Sequence, residues 1–212
     1  MKKANLIVFS VFILFNNFFF LNLKSQINNY IVVKVGGSLV TSLDVQNEII
    51  TKLIISKLEI TQENIDKSKN FAMKSLISKS IKTSEINKYG IKTYNNQDLQ
   101  NYVEQTAKNL NTNKSGLKKI FEQSNISYAI FEENYKTELL WNTLIFQLFK
   151  DQLNINIIEV DNEVEQVKAD KSEEELKKIK ETILTRRKEE KLSLFSRSHF
   201  TNIENSITVK FQ

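Results

Sequence analysis

A single Gly-Gly pair constrains this chain more than any other feature. Tyr30-Ile31-Val32-Val33-Lys34-Val35 is rich in β-branched side chains and predicts a strand. Gly36-Gly37 follows as a two-residue hairpin signal, because glycine takes φ > 0 without a steric penalty. Ser38-Leu39-Val40-Thr41 is then the return strand. A lone hairpin is marginal in water. The alternating stretch Ser206-Ile207-Thr208-Val209-Lys210-Phe211 predicts a last strand that adds to the hairpin and closes the sheet.

Between these ends the sequence reads as helices. Thr41 or Ser42 caps the first, with Asp44 in its first turn and Val45, Ile49, Leu53 and Ile54 on one face. Thr61 caps a second that runs to about Tyr89, with Met73, Leu76, Ile77 and Ile81 as its apolar stripe and Gly90 as its stop. Further helices are expected from Asn96 to Leu110, from near Ser115, and from Tyr128 to Asp151. Residues 155–160 read as a short apolar connection, and the polar stretch 161–171 as the best candidate for a boundary. Ser172-Glu173-Glu174-Glu175 is a capping box that opens a long charged helix, with Leu176, Ile179, Ile183 and Leu184 on one side. Its charge run mixes both signs, which suits a solvated helix face rather than a nucleic-acid patch. The expected fold is α+β and mostly α-helical: an N-terminal β-hairpin joined by a C-terminal strand, packed with five to six helices. No internal repeat is found.

Composition removes several function classes. The chain has no Cys, one His and four Gly in 212 residues. No disulfide framework, thiol redox site or Cys-zinc site can be built, and His199 alone makes no histidine metal cluster. The abundance of Lys over Arg and of Asn and Ile fits codon bias in an AT-rich genome, so it carries no functional signal. No cofactor, metal or catalytic set is expected.

Met1-Lys2-Lys3 is a short positive segment, and Leu6 to Leu21 is apolar apart from Ser10, Asn16 and Asn17. With Lys24-Ser25-Gln26 closing it, residues 1–25 read as a secretory signal peptide cleaved after Ser25, the alternative being an uncleaved anchor. The remainder, residues 26–212, is expected outside the cytoplasm as one domain. Loss of Lys2, Lys3 and Lys24 lowers the net charge from +5 to +2, so charge says little about partners. Contact with membrane is expected only through this segment, if it is uncleaved.

Ile31 to Thr41 resembles the first strand and phosphate loop of the amino-acid kinase family, where the Lys and Gly amides would hold ATP phosphates. That family has further Gly-rich loops, and here only Gly90 and Gly116 remain, each isolated. An enzyme therefore ranks third among the readings.

A longer resemblance is to the SurA-like periplasmic chaperones. Val35 to Val45 resembles that family's opening hairpin and first helix start. Leu76-Ile77, Ile81, Glu85 and Lys88-Tyr89-Gly90-Ile91 resemble its next helix end. Leu99, Val103 and Ala107 match the apolar positions of the helix after that. Leu117 to Phe121, then Tyr128, Phe131 and Leu139-Leu140-Trp141, resemble a helix pair. Asn125 stands where the family usually has Gly, and Asn is the next best residue for a left-handed position. The similarity spans residues 30–160 and resumes over residues 186–211, within a C-terminal region of residues 172–212. Family members insert parvulin prolyl-isomerase domains between these regions; here only residues 161–171 lie at the junction, so no isomerase chemistry is expected. His199 is expected to be a surface or packing residue.

The resemblance implies a periplasmic, ATP-independent chaperone for unfolded outer-membrane β-barrel proteins or other exported polypeptides. Such a protein needs an exposed apolar surface. The helix from Tyr128 carries Leu139, Leu140, Trp141, Leu144, Ile145, Phe146, Leu148 and Phe149 around most of its circumference. Tyr135, Trp141, Phe146 and Phe149 are the candidate client-binding residues. The competing expectation is that this is the central buried helix. A second functional class is a structural or adaptor protein of the cell envelope that binds one fixed partner.

Overall fold

Strand β1 (Ile31–Val35) and strand β2 (Ser38–Thr41) form the antiparallel hairpin, with Gly36 at φ +54° in the turn. Val33, Val35 and Val40 are buried, and Lys34 and Leu39 face water, as a half-covered sheet requires. Strand β3 (Val209–Phe211) pairs antiparallel with β1, in register Val33 with Phe211, Lys34 with Lys210 and Val35 with Val209. The order is therefore β2-β1-β3. Two bonds outside the ladder reinforce the join. The Gly36 N–H donates to the Thr208 carbonyl at 2.8 Å, and the Gln212 N–H to that of Val32 at 3.0 Å. The structure is a computed structural model that describes residues 29–212, so the expected export segment lies outside the described residues.

Helix α1 (Ser42–Ile55) starts at Thr41, whose hydroxyl accepts from the Asp44 N–H while the Asp44 carboxylate accepts from the Thr41 N–H at 2.8 Å. Helix α2 (Gln62–Lys88) is capped by Thr61 and ends at Gly90, φ +67°. Helices α3 (Asn96–Asn109), α4 (Lys114–Gln123) and α5 (Tyr128–Phe149) follow. Asn125 sits at φ +57° in the α4–α5 turn, the left-handed position expected for it. A 3-10 turn, Lys150–Gln152, extends α5.

The stretch 155–160 is not a connection. Helix α6 (Ile157–Gln166) begins there and runs into the polar stretch expected as a boundary. The Asn156 side chain caps it by accepting from the Ile158 N–H at 3.1 Å, and Val160 is fully buried. The polar residues beyond are not a linker because they pair with helix α7 (Glu173–Ser206): Glu163 with Arg186 at 2.7 Å and with Arg187, and Asp161 with Lys180. With α6 the described residues hold seven α-helices, where five to six were expected. Helix α7 opens on the capping box, Ser172 and Glu175.

The molecule is thus α+β and mostly helical, with one small antiparallel sheet. Helix α5 is its central helix. Phe131 and Leu139 join Phe121 of α4 and Val103 of α3 in one cluster, and Trp141, Leu144 and Ile145 join Ile86 of α2 in another. A third cluster lies under the sheet, where Val33, Val35 and Val40 meet Ile81. Among the described residues no helix is long and apolar enough to cross a membrane.

Candidate functional site

The cover of the sheet's inner face is uneven. At the turn end Ile207 lies against Gly36, and with Ile203 it packs on the cluster of Val33, Val35, Val40 and Ile81. At the other end β3 stops at Phe211, whose register with Val33 puts its ring on the inner face at the sheet's margin. Phe211 is 66% exposed and nearby Tyr30 64%. Below them a cleft of about 650 Å³ opens between the sheet, α1 and the first half of α2.

Its walls follow from helix periodicity. Val45, Ile49 and Ile50 line it from α1, and Ile65 and Met73 from α2. Ile65, Lys69 and Met73 recur every fourth residue and so share one face of α2. Lys69 is the one charged residue lining the cleft; it pairs with Asp66 at 2.6 Å and holds that carboxyl below its usual value. Among the described residues no carboxylate lines the cleft. What it offers is apolar surface with two aromatic rings at its mouth, in the size range of binding clefts.

The four residues picked from the sequence lie elsewhere. Trp141 is 1% exposed: it is a core residue, its indole N–H donating to Ser196 Oγ at 2.8 Å. Helix α5 is apolar on so many sides because α2, α3, α4 and α7 all pack on it. Phe149 is half-buried and stacks on Phe195 of α7, ring centroids 4.7 Å apart. Phe146, 49% exposed, is the one of the four largely in water. Tyr135 is half-buried and stacks on Tyr102 of α3 at 3.6 Å. Burial raises the hydroxyls of both Tyr102 and Tyr135 above their usual pKa. His199 packs between the rings of Trp141 and Phe149, with Nε2 3.3 Å from a carboxylate oxygen of Glu85.

Sequence reasoning missed Tyr30, Phe211 and the α1–α2 wall as a site. One signal was present: the alternation Ile207, Val209, Phe211 supplies one apolar position more than the covered part of the sheet can bury.

No protein-family model matches the chain, and no curated protein matches its sequence. Among solved structures it is similar to a chain from work on the virulence factor PEB4 and the periplasmic protein Cj1289, described as two structurally related SurA-like chaperones in Campylobacter jejuni. The identity is 14%, the match covers 87% of this chain and 99% of that one, and the TM-score is 0.42.

Proposed function

We propose that this protein is an ATP-independent periplasmic chaperone that holds apolar stretches of unfolded outer-membrane proteins, without prolyl isomerase activity. The observation that carries this reading is the open cleft with Tyr30 and Phe211 standing in water at its mouth. A chaperone without nucleotide chemistry works by reversible capture, so it must keep apolar surface exposed that a non-binding protein would cover. Aromatic rings suit capture because they bury much area with few rotors. The family resemblance over residues 30–160 points the same way. The absence of isomerase chemistry is supported by the short passage from α6 to α7 and by His199, which is packed among rings.

The test is light scattering from an unfolded outer-membrane protein diluted into buffer with the chain lacking residues 1–25, at varied ratios. Protection is expected near equimolar ratio. Tyr30→Ser with Phe211→Ser, both exposed and therefore mild for folding, is expected to weaken it about tenfold. Phe146→Ser asks the same of α5, and a loss there alone moves the site to that helix. No protection at excess refutes the chaperone reading. Stoichiometric co-purification with a single protein favours the adaptor reading instead.

A further inference from the structure

The cleft bordered by Tyr30 and Phe211 carries a charge that the capture of apolar chain does not use. Its floor is Ile49, which is buried, and its walls keep part of their apolar surface open: Val45, Ile65 and Met73 are each half-buried. Three polar side chains stand exposed at its rim, Gln46 of α1 and Lys69 and Asn70 of α2. Lys69 alone of these is charged, and 58% of its side chain is open to water.

A second cleft shows the contrast. It measures about 310 Å³ and lies between α1, α2, α3 and α5. Glu48, Lys52, Lys79 and Glu138 line it, two carboxylates for two ammoniums, so its charges balance. Among the described residues, the lining of the first cleft holds an ammonium and no carboxylate. Asp66 stands outside that lining and takes one of the three donors of Lys69, at 2.6 Å. Both partners of this pair are more than half exposed, so it holds the ammonium only weakly. The side-chain amides of Gln46 and Asn70 bring neutral N–H donors to the same rim.

We propose that the first cleft binds a fatty acid, its carboxylate on Lys69 at the rim and its acyl chain laid over Ile49 between α1, α2 and the sheet. The volume of about 650 Å³ suits a small ligand of this kind. A lone cation at the mouth of an apolar cleft selects an amphiphile with an anionic end over a neutral or cationic one. The fatty acid occupies the cleft on which the chaperone reading rests, but its binding does not require that reading. It turns on Lys69, which an apolar client stretch has no need of.

The experiment is a calorimetric titration of the chain lacking residues 1–25 with laurate, kept below its micelle-forming concentration, and with decanoate and dodecyltrimethylammonium. Laurate is expected to bind saturably at one site. Decanoate, two methylenes shorter, is expected to bind about tenfold more weakly. Dodecyltrimethylammonium, with the same chain length and the opposite charge, is expected to bind weaker than laurate by about tenfold. Lys69→Glu, a change at an exposed position, is expected to weaken laurate by about tenfold and to turn the preference toward the cation. Nuclear Overhauser contacts between the laurate methylenes and the Met73 methyl in the unaltered protein read the same site should the variant not fold. Absence of saturable laurate binding, equal binding of laurate and the cation, a preference for laurate that survives Lys69→Glu, or laurate contacts away from Met73 each overturns the proposal. Laurate binding with no protection in the scattering assay leaves the fatty-acid site standing and the chaperone reading refuted. Protection without laurate binding does the reverse.

Discussion

Replacing Ser196 with alanine strands the Trp141 indole N–H in the core. That donor now reaches Ser196 Oγ at 2.8 Å, and Trp141 is otherwise enclosed by His199, Phe200 and the Lys82 side chain. A buried donor left without an acceptor costs about 1–3 kcal/mol. Ser196 is itself only half-buried, so water relieves part of this and the expected loss is about 1–2 kcal/mol. For a domain of this size that lowers Tm by about 2–8 °C. Trp141→Phe removes the N–H and part of the ring, at roughly 2 kcal/mol from lost contacts and the space left behind. In the Trp141→Phe background, Ser196→Ala has no indole to strand and is expected to be nearly neutral, so the double-mutant cycle shows a coupling of about 1 kcal/mol. The measurement is urea unfolding followed by far-UV circular dichroism, since Trp141 is the one tryptophan and its fluorescence is lost in half the cycle. A neutral Ser196→Ala, or a coupling near zero, refutes the reasoning. So does a Trp141→Phe protein that keeps its stability but loses client protection, because that result places the indole at a binding surface.

Gly36→Ala forces an L-residue to φ +54° and brings its Cβ to 3.2 Å from Ile207 Cδ1, whereas Gly37 has open space around it. Calorimetry is expected to show a loss of about 1–2 kcal/mol for Gly36→Ala and a much smaller change for Gly37→Ala. Burial, with the Glu132 charge beside it, raises the Tyr128 hydroxyl to about 12, and burial raises Tyr102 and Tyr135 as well. Between pH 10 and 12 the unfolded chain therefore binds fewer protons than the folded one. These tyrosines' contribution is intact below pH 10 and lost as pH rises toward 12. Urea midpoints measured across that window are expected to fall, and to fall less steeply in Tyr128→Phe. Glu163→Gln removes the partner shared by Arg186 and Arg187. Amide exchange is expected to quicken in α6 while global stability barely moves, because these ion pairs lie at the surface with partly solvated groups.

What could be read in the sequence was what neighbours along the chain decide. The Ser172–Glu175 capping box, the cap at Thr41 or Ser42, the Thr61 cap, the Gly36-Gly37 turn and the left-handed Asn125 each rest on interactions within a few residues. Helix α6 was missed because Ile157-Ile158 is β-branched and the residues after it are polar; its partners, Lys180, Arg186 and Arg187, lie on α7. The ambiguity over α5 had the same origin. An apolar circumference fits a surface groove or a central helix equally, and Phe195, Ser196 and Phe200, all on α7, decide the matter for Trp141 and Phe149. The clefts were invisible because each is assembled from three or four separate elements.

The sheet order β2-β1-β3 has a consequence for the time course of folding. Val35 finds Val40 across a two-residue turn, but its other neighbour, Val209, lies at the far end of the described chain. The hairpin and α1 to α5 are joined by contacts among residues 31–149 and can form before the C-terminal residues are in place. The third strand docks only once α7 has carried it back to β1. Until that moment the outer edge of β1 stands unpaired, and its closure bridges a loop of nearly maximal length, a step whose entropy must be met before any contact rewards it. The last event in folding is thus the seating of β3, and with it the arrival of Phe211 at the cleft it borders. The cleft is completed only when both ends of the described chain have met.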